Sequence, residues 1–198
     1  DMLQSRRFGR FTAGQGLVYT EFGEANVIEP FNPPADWQDT LSIDPGLNNP
    51  LSCHWYCRDY DGNVYVVAEH YEANRDVCYH AAAIKRISDE LCWKRDKLGR
   101  IEALIDSAAN QRTLGGVKSV AELFADNGIS VNTRVDKGVY AGVNRVKALL
   151  KPAEGKPKLY VFSCCVNMIR EFKGYFWGNN DAPVKRDDHA MDELRYYV

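Results

Sequence analysis

The sequence predicts an α/β domain: a mixed β-sheet, an antiparallel meander continued by parallel strands, flanked by helices. Three observations carry that expectation. Two alternating runs rich in Val, Tyr and Cys, 51–60 and 63–70, flank Asp61-Gly62, a pair suited to the φ > 0 positions of a tight hairpin turn. A further short apolar run, 41–44, precedes them. Downstream, apolar runs of strand length alternate with segments of helical period, which places helices on the faces of a sheet.

Residues 1–40 lack a strong period. They carry Gly9, Gly14, Gly16 and Gly23, then Pro30, Pro33 and Pro34, and read as an extended arm or linker packed on the domain, with one short strand at 17–22. Residues 41–198 read as a single domain. Its first strand is 41–44, its second 51–60 and its third 63–70. Residues 76–97 read as a long helix, because Val77, Ala81, Ile84, Ile87 and Leu91 recur at helical spacing. A fourth strand follows at 101–106, then a helix at 117–127 stopped by Gly128, and a fifth strand at 129–135. Residues 139–151 form a helix that ends before Pro152, and 159–164 form another buried strand. The chain then offers a short helix at 167–172, an edge strand at 175–177, a polar loop at 178–182 and a terminal helix at 188–197. The order β-β-β-α-β-α-β-α-β-α is the ribonuclease H-like order with about one added strand–helix unit. No internal repeat or low-complexity segment interrupts it.

Composition narrows the classes. A chain of 198 residues with 45% apolar and 26% charged residues fits one ordinary globular domain with a sizeable core. The net charge of −2 lacks the basic footprint common in nucleic-acid binders, although a cluster of carboxylates would offset a local basic patch. The cysteines, Cys53, Cys57, Cys78, Cys92, Cys164 and Cys165, include no Cys-x-x-Cys pair, which argues against structural zinc and for reduced cytosolic thiols. No signal peptide and no apolar stretch of spanning length is present, so neither secretion nor a membrane partner is expected. The chain opens on Asp1 rather than Met, as a fragment of a longer protein would; processing or tag removal would look the same.

Three acidic positions far apart in sequence stand out. Asp44 ends the run Leu41-Ser42-Ile43, and Asp106 ends Ala103-Leu104-Ile105. The third lies in Asp187-Asp188-His189-Ala190-Met191-Asp192-Glu193-Leu194-Arg195-Tyr196. Carboxylates at the ends of neighbouring buried strands point into a shared site. Two or three carboxylates with one imidazole form a ligand set for Mg²⁺ or Mn²⁺, the equipment of two-metal phosphodiester hydrolysis. Each position also has a plainer reading. Asp44-Pro45-Gly46 is a common strand terminator, and Asp106 could cap the turn that follows it. The same first motif could open an actin-like phosphate turn, but the second lobe and second Asp-Gly loop of such a fold are missing. Asp187 and Asp188 suit a helix start. That reading explains Asp192 and His189 poorly, because they lie inside the helix and share a face three residues apart. Asp192 is therefore the expected ligand, His189 a second ligand or a proton carrier, and Asp188 an alternative. Glu69, at the end of the third strand, reads as a solvated residue or a fourth acidic contributor. Lys185 and Arg186, ahead of the acidic helix, are placed for DNA phosphates, whereas Lys85, Arg86, Lys94 and Arg95 read as a solvated face. Arg195, three residues from Asp192, has pairing with that carboxylate as its plain role. Tyr175, Phe176 and Trp177 suit base stacking or a packed edge strand, the latter favoured.

Several segments together resemble the C-terminal nuclease domain of the phage terminase large subunit. They are Gly16-Leu17-Val18-Tyr19 with Phe22, Asp36-Trp37 ahead of Ile43-Asp44-Pro45-Gly46, Asp61-Gly62-Asn63-Val64-Tyr65 with Glu69-His70-Tyr71, Ile105-Asp106-Ser107-Ala108, and Asp188-His189-Ala190-Met191-Asp192-Glu193-Leu194-Arg195-Tyr196. The resemblance spans essentially the whole chain, and its terminal motif is the most specific. Residues 112–118 match nothing in it. It implies a metal-dependent endonuclease on a ribonuclease H-like sheet, cutting double-stranded, concatemeric viral DNA in the host cytoplasm. It further implies Asp44, Asp106, Asp192 and His189 as the site, two Mg²⁺ or Mn²⁺ ions, and an upstream ATPase domain, a portal protein and a small terminase subunit as partners. The Gly-Lys-Ser/Thr loop of that ATPase domain is absent here. Other ribonuclease H-like enzymes (a resolvase, transposase or hybrid nuclease) and a non-catalytic DNA-gripping or portal-docking module are the alternatives.

Overall fold

A computed structural model of the chain describes residues 16–46, 48–112, 117–152, 155–178 and 182–198. The strands are β1 (Val27–Ile28), β2 (Gln38–Asp44), β3 (Leu51–Arg58), β4 (Val64–Glu72), β5 (Ile101–Ile105), β6 (Ile129–Asn132) and β7 (Leu159–Phe162). The helices are α1 (Val77–Glu90), α2 (Val120–Asp126), α3 (Val139–Leu150), α4 (Val166–Gly174) and α5 (His189–Tyr197). The strands make one sheet in the order β1-β7-β4-β3-β2-β5-β6. β2, β3 and β4 form the antiparallel meander. β5 joins β2, β6 joins β5, β7 joins β4 and β1 joins β7, all parallel. The expected mixed sheet flanked by helices is therefore the observed fold.

The central strand explains why alternation is weak there. β3 is buried from Leu51 to Cys57 because both faces are covered. On one face the Trp55 indole donates to Ser88 Oγ of α1 at 3.0 Å; on the other the Tyr56 hydroxyl donates to Glu193 of α5. The β3–β4 connection is wider than a two-residue turn. The Asp59 carboxylate accepts from the Asp61 and Asn63 amides, and Gly62, at φ +78°, supplies the left-handed residue that the sequence called for.

Several boundaries differ from the sequence expectation for identifiable reasons. The helix expected over 76–97 starts after its cap Asp76, whose carboxylate accepts from the Tyr79 amide, but it stops at Glu90. Cys92 turns left-handed at φ +47°, its amide bonds Asp89 O and the Trp93 amide bonds Ser88 O. That is a Schellman ending, closed by burial of the Trp93 indole instead of by a glycine. The helix expected over 117–127 begins only at Val120, where Ser119 and Glu122 form a capping box. The strand expected at 17–22 is a single bridge, Leu17 to Phe176, with Val18 and Tyr19 in the core. The edge strand expected at 175–177 is likewise reduced to isolated bridges at Phe176 and Trp177. β6 ends at Asn132 and β7 at Phe162, while β1 lies within the region read as an arm. Gly9, Gly14, residues 113–116 of the unmatched stretch and residues 179–181 of the polar loop lie outside the described residues. Among the described residues no helix is long and apolar enough to cross a membrane.

Candidate functional site

The site begins with strand register. β2 and β5 pair in parallel with Ile43 opposite Ile105, so Asp44 and Asp106 are the next residues of two adjacent strands, both at the carboxyl end of the sheet. That end is where open α/β sheets place their ligands. In the Asp44-Pro45-Gly46 turn, a Cβ on Gly46 would run into the Asn49 and Pro50 carbonyls, so the close return of the chain requires glycine. Asp44 therefore does terminate its strand, and it also lines the cleft described below.

α5 is locked across these strands by buried polar contacts. Ser42 Oγ donates to the Glu193 carbonyl at 2.7 Å. The Glu171 carboxylate of α4 accepts from the Ala190 and Met191 amides at 2.7 and 3.3 Å, capping the start of α5, and from the Tyr71 hydroxyl at 2.6 Å. This fixes the face that carries His189, Asp192 and Tyr196 over the strand ends. His189 Nδ1 lies 2.9 Å from Asp44 Oδ2. The Tyr196 hydroxyl lies 3.1 Å from Asp106 Oδ2 and 3.4 Å from Asp44 Oδ1, so the two strand-end carboxylates meet at one oxygen atom. Asp192 accepts from Lys185 Nζ at 2.8 Å and from the Arg195 guanidinium. Lys185 Nζ also sits 3.2 Å from Asp188 Oδ2. Asp106 accepts from Lys137 Nζ at 2.8 Å and from the Ala108 amide at 2.6 Å, so it caps the following 3₁₀ turn as well.

The structure thus gathers Asp44, Asp188, His189, Asp192, Lys185 and Arg186 into the lining of one cleft, with Asp106 joined through Tyr196. Burial, then the nearby Asp192 and Asp188 charges, hold Asp44 above the ordinary carboxylate value, opposed by His189. The bond to Asp44 raises His189 against its own desolvation. Asp106 has the reverse balance: burial pushes it up, but the Ala108 amide and Lys137 bring it below the ordinary value. Among the described residues no three His, Cys, Asp or Glu side chains stand ready as a metal cage, because each carboxylate is turned to an internal partner. The donor chemistry nonetheless fits a hard divalent ion: carboxylate oxygens and one imidazole, crowded with like charge, two of them reaching a common point.

One sequence reading changes. Glu69 is neither solvated nor in this cleft: its buried carboxylate faces His54 Nε2 at 2.9 Å and accepts from the Asn167 and Met168 amides at 3.0 and 2.9 Å, capping α4. Arg195 does pair with Asp192, and it is also held by Tyr175, its guanidinium donating to the hydroxyl at 3.0 Å. Arg186 is exposed beside Asp187. Sequence reasoning missed Tyr196, Lys137, Glu171 and the His54–Glu193 pair. Tyr196 had a signal, since His189, Asp192 and Tyr196 fall on one helical face. Lys137 sits in a loop and had none.

The sheet order and its acidic carboxyl end define a ribonuclease H-like domain. The chain belongs to the terminase RNaseH-like domain family, whose profile matches residues 41–198. It is 25% identical over 202 residues to the terminase large subunits of Salmonella phage P22 and Enterobacteria phage LP7, covering 98% of this chain. It spans 37% and 39% of the length of those relatives. The solved nuclease domain of the P22 large terminase superposes with a TM-score of 0.76 at 21% identity, covering 93% of this chain and 92% of that one. The large terminase nuclease domain of bacteriophage SPP1, solved with bound Mn, superposes with a TM-score of 0.60 at 16% identity, covering 91% and 97%.

Proposed function

We propose that this chain is a divalent-metal-dependent endonuclease that cuts double-stranded DNA, in the setting of viral genome packaging and concatemer cleavage in the host cytoplasm. The observation that carries the proposal is the meeting of Asp44 and Asp106, from adjacent parallel strands, with His189 and Asp192 of α5 at one cleft. Membership of the terminase family and the Mn bound by the SPP1 relative support it. Asp44, Asp106, Asp192 and His189 would hold Mg²⁺ or Mn²⁺, two ions in all, with Asp188 as a further carboxylate. When bound, such ions supply an activated water and neutralise charge at the phosphate. Within the chain, Asp44 orients the His189 ring through Nδ1, and Arg195 holds Asp192 toward the cleft. Lys185 and Arg186 line the same cleft and would meet phosphate oxygens, which position a duplex without reading its sequence. Contacts of that kind carry no base information, so cutting should depend little on sequence. By family, an upstream ATPase domain, the portal protein and the small terminase subunit are the proposed partners.

The test is nicking and linearisation of supercoiled plasmid by the wild type and Asp44→Ala, with Mn²⁺, Mg²⁺ or EDTA. Metal-dependent cleavage that Asp44→Ala abolishes supports the proposal. Failure of the folded wild type with both metals would favour a DNA-gripping or portal-docking module. Preference for an RNA/DNA hybrid over duplex DNA would point to a hybrid nuclease instead.

A further inference from the structure

The carboxylates of the site are paired with two kinds of cation. Arg195 is buried, bonded to Tyr175, and packed where a Cβ on Gly142 of α3 would stand 2.8 Å from its Cδ, so it has no room to leave. Lys137 and Lys185 differ. Their side chains are 48% and 66% exposed, each lies in the loop just before a helix, α3 and α5, and each reaches its carboxylate through a flexible stem. Lys137 covers Asp106, and Lys185 covers Asp192 and Asp188, which are the oxygens a metal would need. The carboxylates are only 7–16% exposed, so each pair is open to water at its ammonium end alone, and the lysine can swing into solvent while the carboxylate stays in place.

We infer that Lys137 and Lys185 are exchangeable counter-ions: they hold the acidic cleft neutral without metal, and a divalent ion displaces their ammonium groups, which then face phosphate oxygens. The inference rests on the metal-dependent reading above and adds its regulation. Metal and DNA then bind with positive coupling, each raising the affinity of the other, because the ion frees the groups that the DNA uses and the DNA engages the groups that compete with the ion. A lysine that merely braced its carboxylate would act oppositely, since removing it would loosen a ligand and weaken metal binding.

The test combines amine acylation read by mass spectrometry with calorimetric Mn²⁺ titration of the same folded chain. Acylation of Lys137 and Lys185 should rise on adding Mg²⁺ to the wild type, whereas the exposed Lys97 stays constant. Asp44→Ala, lacking a metal ligand, should show no rise. Lys137→Met and Lys185→Met should each bind Mn²⁺ about fivefold tighter than the wild type, the scale of one lost ion pair that is open to solvent at its ammonium end. Metal binding that Asp44→Ala abolishes, together with unchanged acylation or with Met variants that bind no tighter, overturns the exchange and leaves the nuclease reading standing. No metal binding by the wild type overturns both.

Discussion

α5 carries two neighbouring carboxylates, Asp192 and Glu193, that face opposite environments, and each environment contains a histidine–carboxylate pair. On the cleft side His189 meets Asp44 at 2.9 Å with both side chains partly open to solvent, at 17% and 14% exposure. On the sheet side His54 meets Glu193 at 2.6 Å with both wholly enclosed. The ingredients match, but the pairing differs. Around Glu193 every group is used: Tyr56 donates to the carboxylate, and the other His54 nitrogen faces Glu69, which in turn caps α4. Around Asp44 several carboxylates crowd together, and solvent-accessible lysines offset their charge. A complete buried network acts as a strut, whereas an incomplete one at a cleft can take up a ligand.

Breaking the open side should cost function and spare the fold. Asp44→Ala is expected to lower plasmid cleavage by at least about a thousandfold, the scale of lost metal-assisted charge stabilisation. Its melting temperature should stay at or above that of the wild type, because the change removes a crowded, partly buried carboxylate; a fall of many degrees would show that Asp44 is a strut as well. Breaking the sealed side should do the reverse. Glu193→Ala leaves His54 short of a partner and should cost about 3–5 kcal/mol in urea unfolding, as loss of one member of a buried pair does. The same pair sets a pH dependence. Burial alone would lower His54, but the Glu193 and Glu69 charges and bonds raise it from 6.5 to about 9. That stabilisation is complete below about pH 6.5 and is lost as pH rises through about 9. Glu193, raised by burial to about 7, works in the same direction, since the fold binds more protons than the unfolded chain. Urea midpoints should therefore fall from pH 6.5 to 9 in the wild type and fall less in Glu193→Gln.

Smaller changes sharpen the contrast. Gly142→Ala places a methyl against Arg195 and should cost about 1–3 kcal/mol, the usual penalty of overpacking. Because Arg195 holds Asp192, cleavage should fall as well, and full cleavage in a destabilised variant would separate the two roles. Arg186→Ala, at the exposed rim, should reduce the salt dependence of DNA binding by about one unit of slope, with stability unchanged.

The meander and the alternating strands and helices were legible because Asp61-Gly62 and the apolar periods are local signals. The end of α1 was not: Trp93 continues the apolar character, and the stop depends on Cys92 adopting a left-handed backbone that only the buried indole explains. Asp44 and Asp106 could be picked out as strand ends, but their adjacency lies in the β2–β5 register, which no local pattern encodes. Glu69 was misread because alternation on one strand says nothing of the helix start above it. Lys137 was invisible for the same reason, its partner lying 31 residues away.

The parallel Ile43–Ile105 pairing also bears on when the protein becomes competent. A parallel pair cannot close by a short hairpin, and here its crossover contains β3, β4 and α1 before β5 can dock beside β2. Asp192, a further 86 residues along the chain from Asp106, arrives only when α5 settles on that finished sheet. Contacts this distant in sequence form late, because loop-closure entropy must be overcome first. A chain in which α5 has not yet docked carries these carboxylates without the contacts that join them, so the cleft exists only in the finished fold.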